Sequence, residues 1–265
     1  MHELLVPRNC FAALFDIVGF RALRSSIGTT GLYQRYQRGI LPMMLHSAAG
    51  KSRTEELGDR NVSVPDFTEL SVEYRIISDT VIFFTADDSF QSFCNILRSS
   101  HALVKSGFAT KAPYRGAIGW GDLVDDPLGV LLGSAIEDAY AGESMQAWAG
   151  VMLTSTCREI VEKNEFAERH RAMFKIAAAN IKEEIPREKL LRNSRILVKY
   201  NVPTQANPKD GPVSYSDLQT FALDWTIGMY RGAAGKAFMP SENPHAQTIA
   251  RNTVAFEDWA RANNL

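Results

Sequence analysis

Apolar residues run almost unbroken through FAALFDIVGF (11–20) and YRIISDTVIFFT (74–85), and a single aspartate interrupts each run, Asp16 in the first and Asp79 in the second. Short runs rich in Phe, Ile and Val predict buried strands. The first spans 9–20 and turns at Gly19 into a helix reaching about residue 47; two more, at 70–77 and 79–85, meet at a turn near Ser78-Asp79. The polar stretch 48–66, with its Gly and Pro, reads as a loop. Phe90, Phe93, Ile96, Leu97, Leu103 and Val104 recur at helical spacing over 88–106. Residues 113–124 alternate as a strand, 128–132 form a short one, 134–147 opens on Ser134 as a helix, and 148–154 returns to strand. A charged, mostly helical 155–191 follows, then strands at 195–202 and 219–226 around a loop at 203–214, and a last helix at 242–262.

This order, β-α-β-β-α-β with an α-β extension, is the ferredoxin-like arrangement of the α+β class. It predicts an antiparallel sheet covered by helices, which are expected on one face. The catalytic domain is expected to span 1–230, with 231–265 a helical extension packed on it. The 265 residues are 45% apolar, and 29 basic against 30 acidic residues leave a net charge of −1. That balance gives no electrostatic reason to expect nucleic acid or an anionic membrane as partner. Cys10, Cys94 and Cys157 lack CxxC spacing and read as reduced core cysteines. No apolar run approaches the roughly 20 residues of a membrane span, and MHELLVPRNC lacks the apolar stretch of a signal peptide. The expected location is the cytoplasm.

The two aspartates carry the chemistry. A carboxylate among Phe, Ile and Val costs several kcal/mol unless a cation or donors compensate it, roughly the penalty of burying an unpaired charge. In a ferredoxin-like sheet the first strand and the hairpin are neighbours, so both carboxylates can share one edge. Two hard oxygen donors there suit Mg²⁺ or Mn²⁺ with substrate phosphates completing the shell. Taken singly, Asp16 also reads as a helix cap and Asp79 as a solvated turn residue. Other patterns fail. Gly50-Lys51-Ser52 lacks the upstream glycine of a phosphate loop, since Leu45 stands there, and Gly119-Trp120-Gly121 sits inside a strand. His2, His46, His101, His170 and His245 show no ligand spacing, Arg169-His170-Arg171 reads as a solvated helix face, and there is no Gly-x-Ser-x-Gly elbow.

FDIVGF (15–20), SDTVIFF (78–84), YRGAIGWGDL (114–123) and GSAIEDAYAGE (133–143), in this order, resemble the successive motifs of class III nucleotidyl cyclases. YRGAI, the G-x-A-x-x-x-A-Y pattern, ILVKYNVP (196–203) and ALDWT (222–226) are most similar to the bacterial antiphage Pycsar branch, the pyrimidine (uridylate and cytidylate) cyclases. The resemblance implies conversion of a nucleoside triphosphate, UTP ahead of CTP, to its 3′,5′-cyclic monophosphate and pyrophosphate, as an antiviral second messenger read by a downstream effector. It implies two divalent cations, Mn²⁺ or Mg²⁺, held by Asp16, Asp79 and the Ile17 carbonyl. It implies phosphates cradled by the N–H groups of Val18, Gly19 and Phe20, and a head-to-tail homodimer with active sites at the interface.

The chain departs from the purine cyclases where base and transition state are read. Arg75 stands where they carry a base-reading Lys, and reads either as a donor to pyrimidine carbonyls or as a partner of Glu73. Val130 stands where they carry an adenine-reading Asp. Glu137 and Ala141 stand where they carry a transition-state Asn and Arg. Arg115 or Lys199 could supply positive charge from a facing strand, and Tyr140 and Glu143 read as contacts to ribose or base, Tyr140 alternatively as a core residue. Two alternatives stand beside the pyrimidine reading: an adenylate or guanylate cyclase with relocated base contacts, and a catalytically silent cyclase-like dimerisation or sensing domain. Polymerases and diguanylate cyclases share the topology but typically carry adjacent acids at the hairpin turn, where this chain has Ser78-Asp79.

Overall fold

A computed structural model describes residues 6–57, 60–206 and 214–263; His2 and the middle of the 203–214 loop lie outside the described residues. The chain opens with β1 (Arg8–Ile17), α1 (Phe20–Arg35), a π-helical turn (Tyr36–Ile40) and α2 (Leu41–Ala48). The hairpin β2 (Ala49–Leu57) and β3 (Arg60–Leu70) follows, then β4 (Glu73–Ile77), β5 (Thr80–Phe84), α3 (Phe90–Ala109) and β6 (Tyr114–Asp125). Next come β7 (Leu131–Leu132), α4 (Ser134–Met145) and β8 (Val151–Leu153), then α5 (Ser155–Lys163), α6 (Phe166–Ala179) and α7 (Glu184–Asn193). The chain closes with β9 (Leu197–Ala206), β10 (Ser214–Leu223), α8 (Ala233–Ala237) and α9 (Pro244–Asn263).

The main sheet has the order β4-β5-β1-β6-β8-β10-β9, with β7 paired to β6. Its first four strands reproduce the ferredoxin-like arrangement: β1 lies between β5 and β6, antiparallel to both, and β4 pairs antiparallel with β5 at the edge. The fold is therefore the expected α+β class. The sheet is not wholly antiparallel, because β6 and β8 run parallel. The chain passes from one to the other through α4, and a helical crossover returns it in the same direction.

Helices also cover both faces rather than one. Along β1, Phe11, Ala13, Phe15 and Ile17 join the core with α3, while Cys10, Ala12 and Leu14 join a second buried cluster with Ala135 and Ala139 of α4. A strand buried on both sides reads as a continuous apolar run, which is the pattern of FAALF. The glycines of Gly119-Trp120-Gly121 let α4 approach: a Cβ on Gly119 would lie 2.7 Å from the Ala135 carbonyl oxygen.

The stretch expected as a loop at 48–66 is instead the β2–β3 hairpin, in register from Ala49↔Leu70 to Leu57↔Arg60. It joins no strand of the main sheet. A ribbon held by its own backbone ladder needs no alternating apolar face, so the hydrophobic pattern missed it. The available signal was the dipeptide Gly58-Asp59. β9 and β10 likewise pair from Leu197↔Leu223 to Ala206↔Ser214, taking residues expected in the 203–214 loop. His170 is buried, which pushes its pKa down to about 4, and Arg169 lies over the Phe90 ring. Arg169 and Arg171 are exposed, as a solvated helix face requires, and only His170 departs from that reading by turning inward. Cys10 and Cys157 are buried, Cys94 is half-buried, and none is in a disulfide. The C-terminal helix reaches the core through Phe256, whose ring lies 4.6 Å from Trp148 and 4.9 Å from Tyr200. Among the described residues, no helix is long and apolar enough to cross a membrane.

Candidate active site: a carboxylate pair beside a basic cleft

Asp16 is the penultimate residue of β1, directly opposite Arg115 on β6. Asp79 is the second residue of the two-residue turn between β4 and β5, where Ile77 pairs with Thr80. The first turn residue, Ser78, has φ 59°, the left-handed conformation a type II′ hairpin turn needs at that place. The Tyr36 hydroxyl reaches the Ser78 carbonyl at 3.5 Å, and the Tyr114 hydroxyl reaches Tyr36 at 3.4 Å, so a buried tyrosine pair underlies the turn. Tyr36 belongs to the π-helical turn, a distortion frequent at functional sites.

The β1–β5 ladder pairs Phe15 with Val81, and the same register continued by two residues brings Ile17 opposite Asp79. The Asp16 and Asp79 carboxyls share a hydrogen bond. Burial, that hydrogen bond, the Asp79 charge and the nearby Glu143 charge push the Asp16 pKa up to about 7, with Arg115 opposing. The positive charge that acts on Asp16, Arg115, is itself engaged by another acid, so it offsets the carboxylate pair only in part.

Arg115 donates from Nε to Glu143 Oε1 at 2.6 Å and from Nη1 to the Gln146 carbonyl at 3.2 Å. The phosphate-cradling turn needs one correction. The Val18 N–H donates to the Pro113 carbonyl at 2.9 Å, because the β1–β6 ladder runs one residue past the strand, so this group is not open to a ligand. Gly19, at φ 75°, then starts α1 with no side-chain cap. The first helical bond is Leu23 N–H to the Gly19 carbonyl at 3.0 Å. The N–H groups of Phe20, Arg21 and Ala22 lie ahead of it, in the anion-favouring position of a helix start.

Asp16, Val18 and Gly19 open onto a cleft of about 320 Å³ whose lining also includes Lys111, Arg115, His245 and the run Ala237–Ser241. Of the other candidates, Arg75 pairs with Asp125 at 2.8 Å rather than with Glu73, and stacks over Phe84. Lys199 lies on the edge strand β9, four strands from β1, and sits 3.9 Å from Glu162. Tyr140 is 61% exposed on α4, so the core reading fails, and it does not line the cleft. Val130 is exposed. Sequence reasoning missed Lys111, Tyr36, Glu143 as the Arg115 partner, and His245. Only Glu143 lay within a quoted motif; the others have no spacing that links them to Asp16.

The donors suit a hard divalent cation. Two carboxyls and the Ile17 carbonyl leave most of a six-fold shell to water and phosphate oxygens, the habit of Mg²⁺ and Mn²⁺ sites that hold substrate. Among the described residues, no cluster of three or more His, Cys, Asp and Glu side chains forms a self-sufficient metal cage.

No protein-family profile matches the chain, and no curated protein sequence does. Among solved structures, a bacterial light-regulated adenylyl cyclase is similar to it, with a TM-score of 0.44 and 10% identity over 86% of this chain. The match spans 56% of that protein.

Proposed function

We propose that the chain is a divalent-cation-dependent nucleotidyl cyclase that converts a pyrimidine nucleoside triphosphate, UTP ahead of CTP, to its 3′,5′-cyclic monophosphate. The observation that carries the reading is the Asp16–Asp79 pair, two acids sharing a hydrogen bond, of which Asp16 lines a cleft that also holds an uncapped helix start and basic side chains. In the reaction the ribose 3′-oxygen loses its proton to water and bonds to the α-phosphorus. The bond from that phosphorus to the bridging oxygen breaks, and pyrophosphate leaves with the electron pair. A bound dication would lower the pKa of the 3′-hydroxyl and offset charge on the phosphates. The residues position: Asp16, Asp79 and the Ile17 carbonyl fix the cation site, and the open N–H groups from Phe20 onward hold phosphate oxygens.

The pyrimidine preference rests on Arg75, which offers only donors and so suits the O2 and O4 carbonyls of uracil, and on Val130, which cannot hydrogen-bond adenine through its side chain. The engagement of Arg75 by Asp125 favours a second reading, a purine cyclase whose base contacts lie elsewhere. A head-to-tail homodimer belongs to the proposal, since exposed Tyr140 and Lys199 would reach a site only across such an interface. The product's role as an antiviral signal to an effector rests on the motif resemblance alone. Incubation with each of the four triphosphates and Mn²⁺, with product identification by mass spectrometry, tests both the activity and the base preference. Cyclic UMP or CMP is expected. Turnover of ATP or GTP alone would overturn the pyrimidine preference, and no product from any would overturn the activity.

A further inference from the structure

The cleft beside Asp16 is closed on one side by residues outside the βαββαβ unit. Phe238, Met239, Pro240, Ser241, Asn243, His245 and Ile249 line it from the C-terminal segment, facing Gly19, Lys111 and Arg115. Its charged and titratable lining is unequal: one acid, Asp16, against Lys111, Arg115 and His245.

Each basic group is held in place yet keeps bonding capacity. Lys111 adopts φ 56°, a left-handed conformation uncommon for a residue with a side chain. The bond from the Ala112 N–H to the Gly107 carbonyl at 2.8 Å and the bond from Arg35 Nη1 to the Lys111 carbonyl at 3.1 Å fix it there. Among the described residues, no carboxylate pairs with Lys111. Arg115 spends Nε and Nη1 on Glu143 and Gln146 and keeps Nη2. The His245 backbone is anchored by its N–H to Asn243 Oδ1 at 2.9 Å, while its Nδ1 is buried without a hydrogen-bond partner. Burial and the Arg115 charge both disfavour a proton on that ring. A polar atom left this way costs free energy, and His245 lines the cleft. Three basic groups from the α3–β6 junction, β6 and α9 thus converge on space that a multiply charged anion would fill.

We infer that His245, with Lys111 and Arg115, binds the outer phosphates of the triphosphate, so that the C-terminal segment of the same chain grips the pyrophosphate end while Asp16 and Asp79 address the α-phosphate. This rests on the reading of the Asp16 cleft as a nucleoside triphosphate site. It makes His245 a substrate-binding residue indifferent to the base, and it assigns the segment 237–249 to the active site rather than to packing alone.

The test is calorimetric titration of the full chain with inorganic tripolyphosphate and Mn²⁺, which removes base and ribose from the measurement. His245→Ala is expected to weaken tripolyphosphate binding about tenfold or more, the usual scale for a charge-assisted hydrogen bond, and His245→Arg to retain it. In nucleotide assays, His245→Ala is expected to raise KM by a similar factor for every nucleotide that is turned over. Absence of tripolyphosphate binding by the parent, unchanged affinity in His245→Ala, or failure of His245→Arg to restore it would each overturn the inference. So would a loss confined to uridine binding, which would give the wall to the nucleoside. If no triphosphate is cyclised yet tripolyphosphate still binds through His245, the inference stands and the cyclase reading falls.

Discussion

Asp16–Asp79 and Glu143–Arg115 lie side by side around the same pair of strands, and they treat a shielded acid in opposite ways. Glu143 is almost fully buried, its side chain 6% exposed, and it is matched by Arg115 at 2.6 Å. Asp16 faces another acid across a shared hydrogen bond. Arg115 stands opposite Asp16 on the ladder, yet its Nε goes to Glu143. The first pair is complete within the chain. The second leaves Asp16 with a pKa raised toward neutrality, so a proton or an added cation would offset its charge. A protein selected for stability alone would have no use for the second arrangement, and this contrast is the reason the proposal treats it as the working one.

Breaking the working pair should have the largest effect. Asp16→Ala and Asp79→Ala are each expected to lower cyclic nucleotide formation by about 10³-fold, since a metal's share of charge stabilisation is several kcal/mol and each 1.4 kcal/mol is a factor of ten. The metal-free thermal midpoint should not fall, because each change removes a repelling charge. A variant that kept a tenth of parental turnover, or that unfolded, would erase the contrast between the pairs.

Breaking the complete pair should do the reverse. Arg115→Ala strands a buried carboxylate, and urea denaturation is expected to show a loss of about 3–5 kcal/mol. Replacing both partners, as Arg115→Met with Glu143→Leu, should recover most of that stability. If Arg115→Ala costs under about 1 kcal/mol, the ion pair is not what holds α4 to β6, and the assignment of a structural role to it fails.

How much of this was legible in the sequence follows from how each feature is encoded. β1, β5 and their aspartates were readable because burial on both faces writes a continuous apolar run, and a charge inside such a run stands out. The hairpin turn at Ser78-Asp79 was readable because a two-residue turn fixes its own register. The β2–β3 ribbon was not, since it stands as a separate two-stranded sheet and its polar sequence carries no periodic signal. The parallel β6–β8 pair and the second helical layer followed from where α4 lands, which depends on backbone clearance at Gly119 and Gly121 rather than on hydrophobicity. Lys111 and His245 were invisible because 134 positions of chain separate them and only the fold closes the gap. The availability of the Val18 N–H was misread because the ladder to Pro113 extends beyond the last strand residue.

The glycine contact gives a smaller, graded test of the same comparison. A Cβ on Gly119 would meet the Ala135 carbonyl oxygen and the Ala139 nitrogen, both at 2.7 Å, closer than real Cβ contacts allow. Gly119→Ala is expected to push α4 outward and cost about 1–3 kcal/mol, the usual range for overpacking. Since Glu143 rides on α4, the change should also loosen Arg115 and weaken activity modestly. Full activity with lowered stability would show that the structural pair does not steer the working one.

The smallest effect is a pH dependence that the two pairs should not share. The pKa of Asp16 rises from 3.8 to about 7 on folding, so between these values the folded chain holds a proton that the unfolded chain has released. The contribution of this group to stability is therefore fully present below about pH 4 and is lost as pH rises through about 7. His101 and His170 work in the other direction. Burial lowers their pKa values to about 3 and about 4, so their contribution is present above the ordinary histidine value and is lost as pH falls. The Asp16 component is isolated by difference: without metal, the parent should lose more thermal stability than Asp16→Asn between about pH 5 and about pH 8. Mn²⁺ should restore the parent at the higher pH, where Asp16 is ionised, and do little at the lower pH or in the variant. Parallel curves for parent and variant, or equal stabilisation by Mn²⁺ at both pH values, would mean that the shared proton does not occupy the place a cation takes.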